Sequence, residues 1–225
     1  MQHEILYRPS FSLAIVKIEV GEELAVEAGA MVSMSGNISI QTSAKGGIFG
    51  ALKRSVLGGE SFFINTYKSE GGPGELTLAP ALPGDIAYRE LENETIYVQS
   101  GSYIASVPNI EIDTKWGGAK TFFAGEGLFL LKITGTGPLF VSSYGAIHEI
   151  DLAQGEKYVV DTGHLVAFNE GLSYNVKRVG SWKSTLLSGE GLVCELTGPG
   201  KVFLQTRSPD AFLAWLIPKI PKRSN

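Results

Sequence analysis

The feature that most constrains this chain is repetition. Three segments follow one template: VGEELAVEAGAMVSMSGNISIQT from Val20, LENETIYVQSGSYIASVPNIEIDT from Leu91 and AQGEKYVVDTGHLVAFNEGLSYNV from Ala153. Each carries a glutamate-containing turn, an apolar alternation, a glycine, a second alternation, an asparagine-containing turn and a third apolar run. The central glycines are Gly29, Gly101 and Gly163, separated by 101 − 29 = 72 and 163 − 101 = 62 residues. A second anchor follows each: GGESFFINTYKSEGGPGELTL from Gly58, AGEGLFLLKITGTGPLFVSS from Ala124 and SGEGLVCELTGPGKVFLQT from Ser188. Their glutamates, Glu60, Glu126 and Glu190, stand 126 − 60 = 66 and 190 − 126 = 64 residues apart. Two anchors recurring in the same order at a similar period point to one unit present three times.

The unit is built for strands. LAVEAGAMVSM and TIYVQSGSYIAS alternate with period two, the pattern of a half-buried strand. Val, Ile, Tyr, Phe and Thr suit a pleated surface. GGPG, GTGP and GPG read as hairpin turns. The expected fold is therefore all-β: a double-stranded β-helix-like or barrel-sandwich arrangement of three internal repeats about a pseudo-threefold axis, with little helix. The repeats span residues 11–80, 85–145 and 147–208 of a single domain, followed by a tail over 209–225. Two short helices are expected, at 48–57, where Phe49, Leu52 and Val56 are helically spaced, and at 209–217, which opens on Pro209-Asp210 and stops at Pro218.

The 225 residues, 44% hydrophobic and 19% charged, suffice for a core that needs no metal or disulfide. A net charge of −4 counts against a general nucleic-acid binder. The single cysteine, Cys194, precludes an internal disulfide framework, and its setting in LVCEL reads as a buried, inert thiol. The N-terminus lacks the pattern of a signal peptide, and no apolar run approaches the ~20 residues of a membrane span, so a cytoplasmic protein is expected.

Chemistry is sparse. KGGIFGALKRSVLGGESFFINTY, from Lys45, lacks the spacing of a Walker phosphate loop, and no dinucleotide-binding glycine motif occurs. His3, His148 and His164 form no metal-ligand pair by spacing; only folding could bring the last two together with Glu149 or Asp161. No catalytic, cofactor or metal residues are assigned, and the protein is not expected to be an enzyme. The recurring carboxylates Glu60, Glu126 and Glu190 would hold a cation if they converged; otherwise each accepts backbone N–H bonds in its own turn. In all three units the loop before the second anchor combines glycine, cations and an aromatic. Phe49, Lys53 and Arg54 stand in the first, Trp116 in the second and Trp182 in the third. Three readings stay open for these loops: plugs for the protein's own core, a subunit interface, or a surface that meets a membrane or ligand. The tail AFLAWLIPKIPKRSN, with Trp215 beside cations, fits docking on protein or on a membrane surface.

GALKRSVLGGESFF, within a match running from SLAIVKIEV to FLQTRS, resembles the "altered inheritance of mitochondria" family of mitochondrial biogenesis proteins. The resemblance implies a β-rich fold like that of the tryptophan RNA-binding attenuation protein, a short relative of the double-stranded β-helix. It also implies a homo-oligomer, and it supplies no catalytic residues. Eukaryotic members are associated with mitochondrial inner-membrane organisation; without a transit peptide, a prokaryotic cytosolic setting fits this chain better. The expected function is that of a non-enzymatic oligomeric scaffold or interaction protein, membrane-associated through its glycine-rich loops and tail, with a small-ligand or single-stranded RNA binding module as the alternative.

Overall fold

The structure, a computed structural model, describes residues 1–41, 55–57, 60–114, 122–123, 128–178 and 192–221. Strands dominate. The first stretch contains β1 (His3–Leu6), β2 (Leu13–Ile18), β3 (Glu23–Glu27), β4 (Met31–Met34) and β5 (Ile38–Gln41), then β6 (Ser55–Leu57), β7 (Glu60–Phe62), β8 (Ile64–Ser69) and β9 (Gly74–Leu78). The middle contains β10 (Ile86–Gln99), β11 (Tyr103–Ser106), β12 (Glu111–Asp113), β13 (Phe122–Phe123) and β14 (Leu128–Ser142). The last stretch contains β15 (Ile147–Leu152), β16 (Lys157–Asp161), β17 (Leu165–Asn169), β18 (Ser173–Arg178), β19 (Leu192–Thr197) and β20 (Gly200–Gln205), followed by the helix α1 (Pro209–Leu216).

One pairing pattern recurs along the chain. In the first stretch β8 lies between β3 and β5, and β9 lies between β2 and β4. In the last, β19 lies between β16 and β18, and β20 between β15 and β17. In the middle, the two long strands β10 and β14 serve both roles at once. The N-terminal half of β14 pairs with β12 and the end of β10, and its C-terminal half pairs with β11 and the start of β10. A bulge marks the same place each time, between Met31 and Ser33, Tyr103 and Ala105, and Leu165 and Ala167. The extra residue is three positions past the central glycine: 29 + 3 = 32, 101 + 3 = 104 and 163 + 3 = 166. Gly29 has a φ of 97°, whereas Gly101 and Gly163 lie in short 3-10 turns. Gly163 is needed for space: a Cβ there would sit 2.8 Å from Ser208 Oγ.

Successive sets join edge to edge. β11 pairs with β3 through Ala105–Val26 and Ser106–Ala25, and β17 pairs with β10 through Ala167–Val98, Phe168–Tyr97 and Asn169–Ile96. A nine-strand path, β15-β20-β17-β10-β14-β11-β3-β8-β5, results. Three apolar clusters fill the interior, and each joint lends a residue across it: Ile104 packs with Val16, Leu24 and Leu76, and Val166 with Val98, Ile112 and Ile133.

Three expectations need correction. GGPG (71–74) and GPG (198–200) join β8 to β9 and β19 to β20, strands that pair with other partners in separate sheets, so neither closes a hairpin. GTGP is a bend inside β14, where Gly135 and Gly137 take φ of 149° and 127° opposite an irregularity between Glu92 and Glu94. The segment 107–110 packs so tightly there that a Cβ on Gly137 would lie 2.7 Å from Val107, so glycine serves close approach as well as curvature. Of the helix expected at 48–57, residues 48–54 lie outside the described ones, and Ser55–Leu57 is a strand paired with Glu60–Phe62. Cross-strand pairing overrides the helical spacing there. The C-terminal helix forms where expected, with Ser208 Oγ accepting from Ala211 N and Pro209 in its first turn. Among the described residues no helix is long and apolar enough to cross a membrane.

Candidate functional site

Strand edges, rather than a catalytic cluster, are what the geometry offers. At both internal joints, the strand holding the bulge is bonded on one side within its own set and on the other to the preceding set. β4 has only its first partner, β9, and β16 has only β19; neither has a second strand among the described residues. The side chains register the difference. Ile104 and Val166, the bulge residues of the internal joints, are 0% exposed, whereas their counterpart Val32 is 56% exposed. On the other edge Val159 is 54% exposed, while Ala25, at the matching position four before the central glycine, is fully buried. No lysine, proline or inward charge guards MVSM, the devices by which sheet edges are usually blunted. The four-strand sheet ending in β4 and the three-strand sheet ending in β16 are the two halves that, at each internal joint, merge into one.

A buried carboxylate joins the segments that lead into β2 and β10. Asp85, 3% exposed, accepts from Arg8 Nε and Nη2 at 2.8 Å each, from Ser12 Oγ at 2.9 Å and from Ile86 N at 2.9 Å. Burial alone would raise its carboxyl, but the hydrogen bonds from Arg8 and Ser12 and the guanidinium charge carry it below the ordinary range. The contact pins the segment before β2 to the segment before β10.

Elsewhere the site chemistry is plain. A cavity of 310 Å³ between β10 and β15 is lined by Ile96, Ala167 and Phe203, with Arg89 over the Phe203 ring at 5.1 Å and 3.8 Å from Glu94. Burial pushes the Cys194 thiol up to about 12. His164 Nδ1 lies 2.7 Å from the Gln205 carbonyl oxygen, and His148 sits on β15 on the other side of β20. Among the described residues no three His, Cys, Asp or Glu side chains gather as metal ligands.

Of the residues singled out in the sequence, Phe49, Lys53, Arg54, Trp116, Trp182, Glu126 and Glu190 lie outside the described ones. Glu60 begins β7, its side chain outside what is described. Trp215 is placed: it projects from α1, 60% exposed, stacked on Phe212 with Lys219 Nζ 5.2 Å from its ring. The β4 and β16 edges were missed by sequence reasoning. The available signal was an apolar residue three past every central glycine, Val32, Ile104 and Val166, since such a residue needs a neighbour to cover it.

Fold and edges together define an all-β protein made of successive edge-joined strand sets. The model of the mitochondrial biogenesis AIM24 family matches residues 3–207, and the chain belongs to that family. It is 30% identical over 223 residues to a Streptococcus pyogenes serotype M6 protein described as uncharacterized, covering 96% of this chain and 89% of that one. It is also similar to the crystal structure of a Streptococcus pyogenes protein, with a TM-score of 0.82 and 28% identity over 97% of this chain and 99% of that one.

Proposed function

We propose that the protein is a non-enzymatic cytoplasmic scaffold that assembles head to tail, β16 of one copy pairing with β4 of the next. The observation that carries this reading is Val32, half exposed at the one bulge whose two counterparts are wholly buried. The internal joints supply a register. Position +4 from a central glycine faces position −3 of the preceding set, +5 faces −4 and +6 faces −5. Carried to the free edges, Ser33, Met34 and Ser35 of one copy face Val160, Val159 and Tyr158 of its neighbour. Val32 then enters the apolar cluster around Val160, Leu165 and Leu196, as Ile104 and Val166 enter theirs.

Because the two edges differ, the contact is heterologous, and the rotation between copies decides whether a ring or a filament forms. The mass of the full chain in solution at micromolar concentration tests the proposal. A defined multiple of 24.1 kDa, or a concentration-dependent series, is expected; a monomer throughout overturns it. The alternative, a small-ligand or single-stranded RNA binding module, has no comparable observation behind it; binding of an oligonucleotide that weakens steeply with salt would favour it. Association of α1 with a membrane surface is a separate reading, which vesicle flotation tests.

A further inference from the structure

The chain passes between its strand sets through links gathered at one end. Residues 79–85 connect β9 to β10 and 143–146 connect β14 to β15, while 7–12 lead into β2 and 206–208 lead out of β20. Each is bonded to the one after it. Ser12 N donates to the Gly84 carbonyl at 2.9 Å, Asp85 N to that of Gly145 at 2.9 Å and Arg207 N to that of Tyr144 at 3.1 Å. The approach is close enough that a Cβ on Gly84 would fall 1.6 Å from the Ser143 carbonyl oxygen.

At both ends this row stops short. After β20 the chain turns at Ser208 into α1, which buries no residue and leaves Leu213 and Trp215, with Ile217 just beyond it, in solvent. Before β2, Tyr7 and Phe11 are 69% and 72% exposed, beside Pro80 and Pro83 on a groove of 270 Å³. Arg8, between those aromatics, is anchored on Asp85, so they are presented from a fixed turn.

We infer that α1 of one copy packs on Tyr7 and Phe11 of the next copy, closing over the strand joint as a clasp; this rests on the head-to-tail assembly proposed above. Reach decides it. Only four residues (143–146) separate β14 from β15, five Cα steps or at most about 18 Å of extended chain. Pairing β16 with β4 in the internal register repeats the relation between successive sets. Gln205 of one copy and Leu13 of the next therefore lie within the same span. Pro209 is four positions past Gln205, and Phe11 two before Leu13. The helix already leans on the preceding link, with Phe212 edge-on to Tyr144 at 6.2 Å. The next link along the row is the neighbour's Tyr7–Phe11 turn, and two half-exposed apolar surfaces meet there.

Mixing single variants tests this without intrachain products. Phe11→Cys protein mixed with Trp215→Cys protein, both positions exposed and Cys194 buried, is treated with a bifunctional maleimide; a covalent dimer absent from either protein alone is expected. Met34→Cys mixed with Val159→Cys reads the strand joint separately. Cross-linking at both pairs supports the clasp. Cross-linking at the strand pair alone overturns the clasp and leaves the assembly standing, and cross-linking at neither overturns both. Deleting 209–225 should weaken association about tenfold or more, as loss of a buried aromatic anchor does; unchanged association overturns the clasp. Flotation of the full chain with phosphatidylcholine–phosphatidylglycerol vesicles, lost in a chain ending at Ser208 and without the Phe11–Trp215 product, would give the helix to lipid and also overturn it.

Discussion

Replacing Asp85 by alanine removes the acceptor that ties the first two links together, and the structure sets the size of the effect. Ser12 and the Ile86 amide would be left buried without that partner, at about 1–3 kcal/mol for each unsatisfied group. The Arg8 side chain is 51% exposed, so its charge returns to water and the ion pair adds little beyond this. A loss of about 3 kcal/mol follows, and for a chain of this length that lowers Tm by about 6–12 °C. The pH dependence has a definite sign. The folded-state carboxyl lies below its ordinary value, so its contribution is complete above about pH 4 and is lost as pH falls through the folded value. Urea melts of both proteins from pH 7 down to pH 2 should show a gap that is widest at neutrality and narrows in acid. A gap under about 1 kcal/mol at pH 7, or one constant across the whole range, would refute the assignment of Asp85 as an ionised, hydrogen-bonded anchor.

Val32→Lys places a charge on the free β4 edge and should reduce the assembled mass to that of a monomer while Tm at the monomer level changes little, read by light scattering and calorimetry. Ile104→Lys, the same change at an internal joint, should instead abolish folding, seen as loss of the far-ultraviolet strand signal. Tyr103→Phe deletes the bonds of a buried hydroxyl to the Ala25 carbonyl at 3.1 Å and to Ser106 Oγ at 3.0 Å, and should cost about 1–2 kcal/mol in denaturant titration. Cys194, its thiol pushed up to about 12 by burial, should resist alkylation at pH 8 in the native protein and react promptly in 6 M guanidinium.

The all-β class was legible because period-two alternation and glycine punctuation are local properties, and the C-terminal helix because Pro209-Asp210 opens it and Pro218 stops it. GTGP misled because glycine at positive φ serves a coiled strand as well as a turn, and which one forms depends on how the segment 107–110 packs against β14. Ser55–Leu57 misled because the helical spacing of Phe49, Leu52 and Val56 does not outweigh cross-strand pairing with Glu60–Phe62. Arg8 and Asp85, 77 residues apart, carry no pattern that announces their contact. The free edges were half visible: the apolar residue three past each central glycine could be read, but which of the three lacked a neighbour depends on where the row of sets begins and ends.

The order in which β4 and β16 appear has a consequence for biosynthesis. A ribosome completes the first at residue 34 and the second only at residue 161, 161 − 34 = 127 residues later. In the head-to-tail assembly proposed above, the β4 border takes shape once β9 is made, at residue 78, so a nascent polypeptide is open to capture by the β16 of a finished molecule long before it carries a β16 of its own. Translation of one message by several ribosomes would then couple manufacture to capture.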